Sequence, residues 1–335
     1  MGDKKTSQFN WNICGHENIV HFLQSAISND RLSHAYLFVG PEHLGKTTVA
    51  NKFITSIFCR DEDKAPCDEC SDCRQLKNGI HPDFYFVERS VNEKTDKQRR
   101  EVVIDQIRNL KSKLQQGTLL GGYKIALISD AHHLNSNAAN ALLKVLEEPT
   151  KKTILILVAS SVSGLPETIA SRCQTIKFLP VSTEEIEKHV KDEVVAKQSH
   201  GRPGVAINLL RDEEFASGVD GNIKSFFKAT GSSLNDRFSL IETLVDWKKD
   251  EAINVTLATN LLEDWQGVIR DIMLIKNGNE GLVSNSNYLT DLEKYATQFD
   301  FQYIKKMLEL IKKAKEYFYQ NISAKSVLEN LIINL

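Results

Sequence analysis

The sequence predicts an α/β domain with a parallel sheet covered on both faces, followed by all-helical domains. Three observations carry this. Short, continuously apolar segments alternate with amphipathic ones as far as residue 178, the pattern of strands buried on both faces between covering helices. A glycine-bounded turn, "GPEHLGKT" at 40–47, joins the first apolar segment to a helical pattern. After Leu179-Pro180 no strand pattern appears, and the periodicity is helical to residue 335.

In order, AYLFV at 35–39 reads as a buried strand, the turn follows, and VANKFITSIF continues as a helix. A cysteine module occupies 59–73, and FYFV at 84–87 is a second strand. Residues 89–101, RSVNEKTDKQRRE, are strongly charged and read as a loop. Ile104, Ile107, Leu110 and Leu114 have helical spacing. IALI at 125–128 is a strand, and NSNAANALLKVLEEP is a helix with Asn135 or Ser136 as N-cap and Pro149 as stop. TILILVAS at 153–160 and TIKF at 175–178 complete the strands. Beyond them, Ser182 caps a helix TEEIEKHVKDEVV, "SHGRPG" breaks the chain before VAINLL, and amphipathic helices run from about residue 215. The expected domains are 1–179, with the cysteine module inside it, then a small helical domain at 180–214 and a larger one at 215–335.

The 335 residues are 41% hydrophobic and 26% charged, ordinary values for a soluble globular protein. A net charge of −2 excludes a protein-wide basic field for nucleic acid. No apolar run reaches the roughly 18 residues that span a membrane. The polar start, MGDKKTSQFNWN, has no apolar signal core, so the expected location is the cytoplasm.

"GPEHLGKT" matches G-x-x-x-x-G-K-[ST] in full, between a strand and a helix. Gly40 and Gly45 let backbone N–H groups turn toward phosphate oxygens, and the helix N-terminus adds its positive dipole end. Lys46 would reach the β- and γ-phosphates, and Thr47, followed by Thr48, would hold Mg2+. Asp130, at the end of the IALI strand, would hold the same metal directly or through water. Such sites often place a glutamate next, to orient the attacking water. Here the residue is Ala131. His132 and His133 follow, either as a substitute base or as a polar turn, and the turn is the simpler reading. The pattern predicts ATP binding with crippled turnover.

"CRDEDKAPCDECSDC" spaces Cys59, Cys67, Cys70 and Cys73 as C-x7-C-x2-C-x2-C. Four thiolates close a tetrahedron around structural Zn2+, and an iron–sulfur cluster is the alternative. His81 is a substitute candidate for Cys59. Cys14 and Cys173 read as small buried residues.

Taken together, "GHENIVHFLQSAISNDRLSHAYLFVGPEHLGKTT", the four cysteines, "VVIDQIRNL", "NAANALLKVLEEP" and "LPETIASRCQTIKF" resemble the AAA+ subunits of the bacterial DNA polymerase III clamp loader. The resemblance is strong over the first 210 residues and weaker in "DWQGVIRDIML" and "NISAKSVLENLIINL". It implies a RecA-like AAA+ domain with a zinc module, a small helical lid and a helical collar. Motor subunits of the family carry Asp-Glu where this chain has Asp130-Ala131, a departure that sets it with the delta-prime type. Some delta-prime proteins have a degenerate phosphate loop; this one is intact.

By the same resemblance Arg172, in "SRC", reaches across a subunit interface to a neighbour's γ-phosphate. A surface salt bridge is the plain alternative. Arg202, in "GRPG", either turns toward the chain's own nucleotide or is a solvated turn residue. Ser160 and Ser161 fall in the region of a polar γ-phosphate sensor, and Lys144 lies on a helix that either faces DNA or is solvated. The expected partners are gamma/tau-type motor subunits and delta in a five-membered ring, the sliding clamp, and primed DNA through the assembly. An active motor subunit, or another P-loop ATPase, is the alternative function.

Overall fold

The computed structural model describes residues 8–335, apart from 62, 93–96, 99–100, 163, 246–250 and 321. The chain divides into two compact units, Met1–Glu185 and Ile186–Leu335.

In the first unit, short strand β1 (Gln8–Phe9) leads through Trp11 to helix α1 (Glu17–Ser28). Strand β2 (Ala35–Val39), the turn and α2 (Lys46–Phe58) follow. The cysteine module carries β3 (Lys64–Ala65) and α3 (Ser71–Lys77), and β3 pairs in parallel with β1. Then come β4 (Phe84–Val87), a hairpin of β5 (Val91–Asn92) and β6 (Lys97–Gln98), and α4 (Ile104–Gln115). The unit closes with β7 (Lys124–Ile128), α5 (Ser136–Glu147), β8 (Thr153–Ala159), α6 (Glu167–Ala170) and β9 (Gln174–Lys177).

The main sheet is fully parallel, in the order β4-β7-β8-β2-β9. Its three central strands are buried at every residue. Side chains alternate between two apolar layers, which is why these strands read as unbroken hydrophobic runs. Leu37, Ile128 and Leu157 join Leu110 of α4 and Leu142 of α5 on one face. Phe38, Leu127 and Ile156 join Leu23 of α1 and Phe53 of α2 on the other. Asn135 caps α5, its side chain accepting from the Ala138 N–H. Strand β2 lies between β8 and β9, so the chain order reverses beside the turn at 40–47, the place where parallel sheets take ligands.

The second unit is helical. The boundary falls within α7 (Thr183–Val190), followed by α8 (Glu193–Gln198), α9 (Pro203–Arg211), α10 (Glu213–Gly231) and α11 (Leu234–Leu244). Helix α12 (Glu251–Lys276) carries the fully buried Trp265, whose indole N–H donates to Asn222 O and Ser225 Oγ. Helices α13 (Leu289–Gln298), α14 (Phe301–Tyr319) and α15 (Ala324–Asn334) share one core with α10, α11 and α12.

Local readings differ from the structure at several points. Residues 89–101 contain the β5–β6 hairpin instead of a plain loop, with part of the segment outside the described residues. TEEIEKHVKDEVV is two helices, because Lys191 turns to φ 60° and the Asp192 side chain caps α8 by accepting from the Val195 N–H. Helix α1 was not separated from its motif in the sequence. Cys14 and Cys173 are half-buried.

Candidate functional site

Gly40 closes β2, and its N–H donates to Ala159 O. Its φ is 151°, and a Cβ there would lie 2.4 Å from Phe178 O. Gly45 (φ 83°) is the N-cap of α2. The first N–H groups of that helix have no intrahelical acceptor and serve an anion well. Lys46 is buried, its Nζ donating to Gly40 O and Pro41 O at 2.6 Å each, so the ammonium is folded back onto its own loop. Burial pushes its pKa down, opposed by Glu42 and Asp130. Thr47 and Thr48 are exposed at the helix start. His16, in the left-handed turn before α1, donates from Nε2 to Leu44 O at 2.9 Å and stacks edge-on to Phe178. Burial pushes the pKa of this imidazole down, opposed by its bond to Leu44 O and by Glu185.

The remaining site groups come from the C-terminal ends of neighbouring strands. Val87 of β4 is paired with Ile128 of β7, which sets Arg89 opposite Asp130 two residues further on. Arg89 Nη2 lies 3.6 Å from Asp130 Oδ2. Arg89 Nε is buried and has no hydrogen-bond partner among the described residues. Ser160 Oγ, one residue past β8, is likewise buried and unpartnered. Ala131 is fully buried. His132 Nδ1 accepts from the Ser160 N–H at 3.4 Å, and the His133 ring is 4.2 Å from that of His132. Burial lowers both pKa values, that of His133 to about 4. Both imidazoles are thus packed against their neighbours in the turn that follows Asp130.

Sγ atoms of Cys59, Cys67, Cys70 and Cys73 all lie within 4.8 Å of one another. A Zn–S bond of about 2.3 Å sets tetrahedral sulfur atoms about 3.8 Å apart, and Cys67 Sγ and Cys73 Sγ are 3.9 Å apart. Backbone N–H groups of Cys67, Cys70 and Cys73 point at the sulfurs of Cys59, Cys67 and Cys70. Burial disfavours a Cys70 thiolate, but hydrogen bonds from backbone and neighbouring thiols outweigh it and hold the group down to about 7. The donor set fits a metal. His81 is not part of it: its ring packs on Phe58, with Nε2 3.8 Å from buried Asp72, which Arg60 also grips.

A family model described as DNA polymerase III, delta subunit, matches residues 15–182, half of the chain. The chain belongs to the DNA polymerase III delta-subunit family. It is 28% identical over 324 residues to DNA polymerase III subunit delta' of Bacillus subtilis, covering 95% of each chain. It is 40% identical over 142 residues to subunit delta' of Pseudomonas aeruginosa, covering 42% of each. Among solved structures it resembles a DNA polymerase III gamma subunit-related protein of Thermotoga maritima, with a TM-score of 0.46 and 16% identity over 93% of this chain and 97% of that one. Within the family the chain is of the delta-prime type.

In this delta-family chain Arg172 follows α6, half-exposed. Its Nη2 is 2.8 Å from Glu147 Oε1 at the end of α5, and its Nη1 donates to Thr168 O at 2.9 Å. The surface salt bridge is therefore present. Arg202 belongs to the second unit. It precedes α9 and pairs with Glu263 of α12, its side chain only 15% exposed, so it is not a solvated turn residue. Lys144 is exposed on α5. Two residues escaped the sequence reading. Arg89 was hidden in a charged run, although its place two residues past an apolar strand was a usable signal. His16 was one of many histidines, marked only by its neighbour Gly15.

Proposed function

We propose that this delta-prime-type chain is a largely non-hydrolysing stator of the DNA polymerase III clamp loader, which holds nucleotide and lends Arg172 to a neighbouring subunit. One observation carries the reading: Ala131 is sealed in the core directly after Asp130, where a water-orienting carboxylate would otherwise stand. Positioning the water is most of what a protein contributes to hydrolysis, and a methyl group cannot do it. Gly40, Gly45, Lys46, Thr47 and Thr48 would hold the phosphates of ATP, and Ser160 has a buried hydroxyl free to meet them. Magnesium fits less well, because Asp130 already faces the Arg89 guanidinium. The four cysteines would hold Zn2+ as a structural ion with no open position. Arg172 is reachable from outside the chain, and Glu147 fixes its direction without burying it.

In this reading residues 1–179 form the nucleotide-binding domain, 180–214 the lid and 215–335 the collar. The collar joins gamma/tau-type motors and delta in a five-membered ring. The ring opens the sliding clamp and sets it on primed DNA in the cytoplasm. A chain with net charge −2 contacts that DNA largely through the assembly.

The test is ATP binding and turnover by the purified chain, with Lys46→Ala as control. Binding that the variant loses, with turnover at background, is expected. Lys46-dependent turnover would sink the stator and favour a motor ATPase. In the reassembled complex, Arg172→Ala should slow hydrolysis at the adjoining site by about 10³-fold, the scale of arginine fingers elsewhere. Unaltered hydrolysis removes Arg172 from the reading.

A further inference from the structure

Asp130 is the acidic group that a nucleotide-bound magnesium would need, and a cation of the chain already occupies its field. The placement follows from the sheet. Parallel pairing of Val87 with Ile128 brings residues 89 and 130 side by side at the strand ends, and the Ser129 N–H donates to Val87 O at 2.9 Å to hold that register. The guanidinium stands 3.6 Å from Asp130 Oδ2, too long for a committed hydrogen bond. Arg89 Nε is buried and unpartnered among the described residues. A buried guanidinium donor without an acceptor is costly, and it is relieved by an anion arriving at the site. Lys46 also has its ammonium turned onto neutral carbonyls of the loop. Lys46 and Arg89 thus both stand in the field of Asp130, with Glu42 acting on Lys46 as well, and Arg89 keeps an unmet donor beside the phosphate loop.

We propose that Arg89 takes the place of the divalent metal in this site, so that the chain binds a nucleoside di- or triphosphate with little dependence on Mg2+. The inference rests on the reading of Gly40–Thr48 as a nucleotide site. A planar guanidinium matches phosphate oxygens with paired N–H donors, whereas a lysine offers a point charge. Arg89 would leave Asp130 at modest cost and neutralise the phosphate charge that Mg2+ carries elsewhere. A metal ion at Asp130 would have to displace it or share the carboxylate with a like charge.

The experiment is calorimetric titration of the purified chain with ADP and with ATP, in excess Mg2+ and in excess EDTA. The wild type should bind with affinities within about threefold of each other in the two buffers, well under the tenfold that 1.4 kcal/mol represents. Arg89→Met should lose about tenfold or more in EDTA, the worth of a charge-assisted hydrogen bond, and regain much of it with Mg2+. Asp130→Asn frees Arg89 and should tighten binding in EDTA, which keeps the test decisive should Arg89→Met fail to fold. Wild-type binding that collapses in EDTA overturns the inference and leaves the nucleotide reading standing. So does an Arg89→Met chain with the wild-type ratio between buffers, or an Asp130→Asn chain whose EDTA affinity does not rise. A chain that binds in neither buffer overturns both.

Discussion

A methyl group on Gly40 would meet Phe178 O at 2.4 Å, on a backbone whose φ of 151° only glycine adopts easily. Gly45 also has a positive φ, 83°, but nothing stands within 4 Å of a Cβ built there. The two glycines of one motif should therefore respond differently. Gly40→Ala combines strain with a backbone clash and should cost about 3 kcal/mol or more, whereas Gly45→Ala meets only the left-handed penalty of about 1–2 kcal/mol. Urea unfolding of both variants measures the difference, and equal losses would place the constraint elsewhere. The motif itself was legible, because its spacing is local. The clash was not, since Phe178 is 138 positions away, reached only when β9 pairs with β2. Arg89 was hidden for the same reason: the register of β4 on β7 sets it against Asp130.

Among the elements, the cysteine module shows what is fixed nearby and what is fixed at a distance. The four-cysteine spacing named candidate ligands, and the fold brings their sulfurs together. The supports came from elsewhere in the chain. Strand β1 pairs with β3, and Trp11 Nε1 donates to Ser56 Oγ at 2.7 Å on α2, the helix that leads into the module. A metal held by such a cluster would contribute its binding energy to the module's folding. The purified protein should carry zinc in stoichiometric amount, and a chelator should open the module to proteolysis between residues 59 and 81 while the main sheet persists. Cys70→Ser should reproduce that cleavage without chelator. A module equally resistant with and without metal would show that packing alone orders it. The break at Lys191 was invisible beforehand because its signal, an aspartate cap, lay inside an otherwise continuous helical pattern.

At the scale of the whole molecule, the two units are stabilised differently. The first has two apolar layers on a parallel sheet, and the second has one helical core with Asp271 buried at its side and further charged groups half-buried among the helices. Helical periodicity showed the second unit's elements, but not that Arg202 would pair with Glu263 or that half-buried Asp264 would accept from Asn222. Burial pushes Asp264 up to about 7, with Arg202 and Lys315 opposing. The unfolded carboxyl ionises near 3.8, so as pH rises from about 4 to about 7 the unfolded chain gives up its proton first and the native state loses stability. Asp264→Asn keeps the acceptor for Asn222 and removes that cost. Its melting temperature should exceed the wild type's by a few degrees at pH 8, the gain fading as pH falls toward 4. A gain independent of pH would assign it to packing. His200 acts in the other direction. Burial lowers its pKa to about 4, so stability drains away as pH falls from about 6.5 to that value. The first unit has a different kind of economy. Helix α2 begins with Lys46, and its C-cap is Cys59, a member of the sulfur cluster. Its 13 residues make a rod about 20 Å long. The lysine of the glycine-bounded turn at one tip and a cysteine of the sulfur cluster at the other share a single stiff spacer, so whatever pulls on the sulfurs pulls on the same strut that carries the lysine.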